Sequence, residues 1–140
     1  MITIDQLIEQ ARTYLEVPYK HHGRTREGLD CIGLFVACAQ DLGIEVWDDL
    51  TYTLKVNPKH LIKGIEQYVE RDRPRPVIEP GRMALMQFSG EAGLTHTALI
   101  TDRGILHAYN KRRAVCEHRL NDQWKKRIIR TYKINGVDYG

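Results

Sequence analysis

The 140-residue chain predicts an α+β fold, with N-terminal helices and a buried central helix packed on an antiparallel sheet of about five to six strands. Three observations predict it. Apolar residues recur at helical spacing through the first half of the sequence. One segment, 31–42, is apolar on nearly every side, as a helix at the centre of a core must be. From residue 82 onward the pattern changes to short β-branched runs separated by hairpin-length turns, and helices followed by strands is the α+β order. No repeat or linker divides the sequence, so residues 1–140 read as one domain.

The elements follow in order. Thr3-Ile4-Asp5-Gln6 is a capping box, and Ile4, Leu7, Ile8, Ala11 and Leu15 make one face of a helix over 4–15, ended by Pro18. Residues 18–29 are a polar loop with two glycines, of a length that is commonly functional. Asp30 caps the central helix over 31–42 and Gly43 ends it. Asn57-Pro58 opens a third helix over 58–70, with Leu61, Ile62, Ile65, Tyr68 and Val69 inward. Three prolines and Gly81 make 72–81 an extended connector. Strands are predicted at 82–88, 94–101, 105–110 and 114–120, with a turn at Asp102-Arg103-Gly104. Asn121 or Asp122 opens a short helical turn to Arg127, and 128–134 reads as the last strand in preference to a continuation of that helix.

Composition excludes several classes. Hydrophobic residues are 42% and charged residues 28%, which is neither disordered nor membrane-spanning. The sequence opens Met1-Ile2-Thr3-Ile4-Asp5, without the basic and apolar regions of a leader. Cys31, Cys38 and Cys116 form no Cys-x-x-Cys pair. The expectation is a protein made in the cytoplasm, with reduced thiols, no membrane span and no metal. Net charge is +3, but residues 111–130 hold eight basic and two acidic side chains. That segment reads first as a solvated face, and otherwise as a dock for an acidic partner or an anionic polymer. Trp124 is its one aromatic residue, so nucleic acid is not expected.

Cys31 is the informative position for chemistry. It stands in the first turn of the central helix, where unpaired N–H groups and the helix dipole lower a thiol pKa. A nucleophilic thiol needs a base, and His96 lies within a strand of apolar and β-branched neighbours. His107, on the next strand, can orient it. A turn at 102–104 sets His107 opposite Leu99 or Ile100, about 10–13 Å along the strand from His96, so a bulge or strong twist has to close the gap. Each residue also has a plainer reading: Cys31 as a small core residue like Cys38, and the histidines as sheet residues satisfied by backbone. His21 and His22 read as exposed loop residues rather than metal ligands. His60, His118 and Cys116 are given no role.

Val17-Pro18-Tyr19, Gly28-Leu29-Asp30-Cys31-Ile32-Gly33-Leu34, Pro80-Gly81 opening a strand, Thr95-His96-Thr97-Ala98-Leu99-Ile100 and Leu106-His107-Ala108 together resemble the NlpC family of papain-like cysteine peptidases, over roughly residues 4–110. The resemblance implies a papain-like fold and a cysteine endopeptidase that cuts peptidoglycan stem peptides next to γ-D-glutamate, without a cofactor. Cys31 would be the nucleophile, His96 the general base and acid, and His107 the orienting residue. Tyr19 would help hold the oxyanion with the Cys31 N–H, and Asp30 and His22 would complete the oxyanion and substrate-binding set. Many relatives have Ser where this sequence has Ile32, and Trp-Gly-Gly where it has Lys20-His21-His22-Gly23. The bare domain and the Glu117-His118-Arg119-Leu120, Trp124 and Arg127-Ile128-Ile129 segment resemble the subgroup found in bacteriophage and gene-transfer-agent tails. That implies a place in a virion tail and tail-protein partners on 111–130. Two other readings stay open: a tail assembly or structural factor of peptidase-like fold with little activity, and an amidase or acyl transferase on another substrate.

Overall fold

The computed structural model describes residues 1–52, 58–88 and 95–140. Strand β1 (Ile2–Thr3) leads directly into helix α1 (Ile4–Arg12). The capping box closes in both directions, with Thr3 Oγ1 accepting from the Gln6 N–H at 3.0 Å and Gln6 Oε1 from the Thr3 N–H at 2.9 Å. The helix stops three residues short of the predicted Leu15. Glu16 adopts a left-handed conformation, φ 72°, and its N–H donates to the Val115 carbonyl at 2.9 Å. Backbone pairing beside Val115 thus replaces the last helical turn.

The 18–29 loop, expected to be irregular, contains a two-stranded hairpin, β2 (Arg24–Thr25) with β3 (Gly28–Leu29). Helix α2 (Cys31–Leu42) has the predicted bounds. Asp30 Oδ1 accepts from the Gly33 N–H at 2.7 Å, and Gly43 closes the helix at φ 72°. Every residue from Cys31 to Ala39 is buried. The hairpin lies so close to α2 that a Cβ on Gly33 would sit 1.9 Å from the Gly23 carbonyl oxygen. Gly33→Ala must displace that backbone. It is expected to lower stability by about 1–3 kcal/mol, read as a lower urea midpoint; an unchanged midpoint would show that the loop yields freely.

Helix α3 (Pro58–Ile65) is shorter than predicted, and the predicted stripe residue Val69 belongs to strand β4 (Val69–Arg71). The apolar spacing of 61–69 suited either period. Pairing of Val69 with Ile134 decides it. The predicted cap, Asn57, lies outside the described residues. Strands β5 (Met83–Gln87), β6 (Thr95–Thr101), β7 (Gly104–Tyr109) and β8 (Ala114–His118) follow, with a 3₁₀ turn at Asn110–Arg112. Leu94, the expected start of the second of these, also lies outside the described residues. Helix α4 (Asp122–Lys125) is capped by Asn121. Strand β9 (Ile128–Ile134) is where the sequence places it, and β10 (Val137–Asp138) was not foreseen.

The main sheet is antiparallel, six strands in the order β4-β9-β5-β6-β7-β8, while β1 and β10 form a separate parallel pair. Alternation divides its side chains between two faces. Leu85, Leu99, Leu106, Val115 and Tyr132 join the larger core with α1 and α2. Ala84, Met86, Ala98, Ile100 and Ile105 face the other way, under Leu120 and Trp124. Strand β6 is therefore buried along its whole length.

Candidate active site

The position of Cys31 follows from a gap in the sheet. The β6–β7 ladder pairs Thr101 with Gly104, Ile100 with Ile105 and Leu99 with Leu106, and stops there. The Ile100 N–H donates to Arg82 on the β5 side, so alternate residues, Thr97 among them, direct their N–H toward β7. Beyond Leu99 the ladder offers Thr97 no partner. The first turn of α2 fills the place. The Thr97 hydroxyl donates to the Cys31 carbonyl at 3.1 Å, and the N–H groups of Thr97 and Ile32 face the Cys31 sulfur.

His96 precedes Thr97 on β6 and projects from the opposite face, toward Phe88 and Tyr109. Its Nε2 lies 2.6 Å from His107 Nδ1. The expected gap between these two histidines is not there. Gly104, at φ 135°, pairs with Thr101, so the turn holds two residues and not three. Continuing that register sets His107 across from Ala98, two residues from His96, which is the diagonal contact of an antiparallel pair, about 7–8 Å between backbones. No bulge interrupts the three β6–β7 pairs. The sheet thus brings His96 to His107, and Cys31 to the residue next to His96. It does not hydrogen-bond the thiol to His96: the sulfur's neighbours are Thr97 and Ile32.

Tyr19 is half-buried and held by its N–H on the Arg113 carbonyl at 2.9 Å. Burial raises its hydroxyl pKa first, and the nearby Cys31 and Asp30 raise it further. Asp30 and His22 have supporting places. Asp30 is 1% exposed; Oδ1 accepts from Gly33 and from Arg24 Nη1 (3.1 Å), and Oδ2 from the His22 N–H (2.9 Å) and the Tyr52 hydroxyl. The His22 ring donates from Nε2 to the Tyr52 carbonyl at 2.7 Å and stacks on His21. These residues shape the loop in front of α2.

Sequence reasoning missed Arg24, Tyr52 and His118. Nothing local distinguished the first two. His118 had a signal: two residues after Cys116, it shares that residue's face, and Cys116 pairs with His107. Among the described residues, His107, Cys116 and His118 form a group whose candidate metal-ligand atoms lie within 4.8 Å of one another. The ring nitrogens of the two histidines already bond each other, His107 Nε2 to His118 Nε2 at 2.9 Å.

Comparison with known proteins decides what kind of chain carries this arrangement. A match to the NlpC/P60 family runs over residues 16–133. The chain belongs to the NlpC/P60 family. It is therefore an enzyme of the cysteine-peptidase class that the family comprises. Among solved structures it is similar to the NlpC/p60 domain of the peptidoglycan hydrolase SagA, at TM-score 0.65 and 18% identity over 94% of this chain and 98% of that one. It is similar to an NlpC/P60 family protein from Bacillus cereus ATCC 10987, at TM-score 0.68 and 20% identity over 94% of this chain and 40% of that one. A lipoprotein-like NLP/P60 family protein from Staphylococcus aureus Mu50 gives TM-score 0.63 and 14% identity over 94% and 41%. The NlpC/P60 chain thus spans about two-fifths of the latter two proteins. At these identities the likeness shows the fold. No curated protein matches the chain.

The electrostatics of this NlpC/P60 site correct one expectation. The Cys31 thiol is pushed up to about 11 rather than lowered. Burial, with 8% of the residue exposed, and the neighbouring Asp30 carboxylate outweigh the N–H groups at the helix start. Burial lowers His96 to about 4. Burial and the two neighbouring rings lower His107 as well. A thiolate–imidazolium pair would need the opposite order of thiol and imidazole, so the resting pair is neutral. Iodoacetamide labelling of Cys31 is expected to rise about tenfold per pH unit from 8 to 10 and level off only near 11, whereas an unperturbed thiol is half ionised at about 8.5. A plateau at or below pH 8.5, measured by mass spectrometry of the labelled peptide, would overturn that order.

Proposed function

We propose that the chain is a cysteine endopeptidase of peptidoglycan stem peptides, cutting beside γ-D-glutamate. The observation that carries the reading is the Cys31 thiol lodged against Thr97 at the start of α2, one residue from a His96 already bonded to His107. Cys31 gives its proton to His96 as sulfur attacks the scissile carbonyl. The oxyanion is held by the Cys31 N–H and the Tyr19 hydroxyl. His96 returns the proton to the departing amine, leaving a thioester. Water, deprotonated by His96, then releases the carboxylate and regenerates the thiol.

The surroundings support an anionic substrate. Lys111, Arg112 and Arg113 are exposed at the end of β7, and Arg113 is tied to Tyr19 through its carbonyl. Arg119, Lys125 and Lys126 extend the basic surface along the same segment. Stem-peptide carboxylates complement such a rim. The same segment supports placing the enzyme in a phage-like tail, docked on an acidic tail protein. The test is digestion of purified sacculi, wild type beside Cys31→Ala, with the fragments weighed. Fragments from the wild type alone, with masses ending in γ-D-glutamate, are the expected result. Intact sacculi with both proteins folded would overturn it.

A further inference from the structure

The hydrogen bonds of His96 do not end at His107. They continue to His118 Nε2 at 2.9 Å, and His118 Nδ1 lies 3.0 Å from the Arg119 carbonyl. The rings are held in place from the side: Tyr109 stacks on His107 at 4.9 Å, and Trp124 of α4 lies edge-on to His107 at 5.4 Å and against His118 at 4.8 Å. A carbonyl only accepts, so the proton of neutral His118 sits on Nδ1 and its lone pair on Nε2. His107 must then donate from Nε2, which leaves its Nδ1 bare. His96 must in turn donate from Nε2. Its remaining lone pair is on Nδ1, which has no hydrogen-bond partner among the described residues.

We infer that His118 is a positioning residue, anchored on the Arg119 carbonyl, that acts through His107 to hold His96 in the one neutral tautomer able to take a proton at Nδ1. The inference rests on the proposed peptidase reading for its consequence, since Nδ1 is the nitrogen left for the thiol.

The experiment is long-range ¹H–¹⁵N correlation of the histidine rings in the full ¹⁵N-labelled chain at pH 7.5, with kcat and KM on sacculi, for the wild type, His118→Phe and His118→Gln. The wild type is expected to show His96 protonated at Nε2 and bare at Nδ1. His118→Phe keeps a ring against Trp124 but removes the acceptor. It should give mixed tautomers at His96 and His107 and a kcat roughly tenfold or more lower, with KM unchanged. The amide oxygen of His118→Gln accepts from His107 Nε2, so this variant should restore the tautomers and most of kcat. A bare Nε2 on wild-type His96, or unchanged tautomers and kcat in His118→Phe, would overturn the inference. The ring spectra need no turnover. The stated tautomers in a wild type that releases no fragments would support the relay and count against the peptidase reading alone.

Discussion

Cys31→Ala is expected to abolish fragment release from sacculi, with kcat down by at least about 10⁴-fold. In the proposed reaction both half-reactions pass through the sulfur. His96 remains bonded to His107 but has no thiol proton to take. The substitution removes one sulfur from a site next to Thr97 and keeps the start of α2, whose cap comes from Asp30. The fold, read by circular dichroism, should therefore be unchanged. Release above about a tenth of the wild-type rate by the folded variant would remove Cys31 from the mechanism. The neutral resting pair adds a kinetic expectation. With the thiol near 11 and His96 near 4, proton transfer accompanies attack instead of preceding it.

Asp30→Ala is expected to be the most damaging single change to stability, at about 3–5 kcal/mol. The carboxylate caps α2, pairs with Arg24 and accepts from Tyr52 and from the His22 N–H, all with 1% of the residue exposed. Alanine removes the cap and leaves the half-buried Arg24 guanidinium short of its inner carboxylate. Against a total of about 5–15 kcal/mol for a domain, that loss puts folding at risk. Asp30→Asn keeps an acceptor for Gly33 and loses the charge, so it should cost less, about 1–3 kcal/mol. Urea unfolding followed by circular dichroism decides the order. Alanine within about 0.5 kcal/mol of the wild type would show that Arg24 and Tyr52 find other partners.

The sequence was most legible where a signal is local. The Thr3 capping box, the Asp30 cap, the apolar run of α2 and its Gly43 end all stand in the structure where their residues predict. Strand β9 followed from its β-branched run. What sequence alone left open depends on partners far along the chain. Val69 joins a strand because Ile134 is there to pair with it. The short β2–β3 hairpin has no alternating pattern, because its residues answer to α2 through contacts such as Gly23 with Gly33. In the site, Cys31, His96 and His107 each carried a chemical signal. The meeting of the two histidines depended on the size of one turn, which residue types did not settle. His118 was overlooked because its importance lies in the ring it faces rather than in its neighbours in sequence.

Strands β1 and β10 lie side by side and run in the same direction. Traction applied to residue 1 and to residue 140 in opposite directions would therefore load Ile2–Thr3 and Val137–Asp138 in shear along their axes. The hydrogen bonds between them would have to rupture together, whereas an antiparallel pair pulled from adjacent ends unzips one bond at a time. Tethered at both ends to something that moves, the domain would meet tension with its ends clasped.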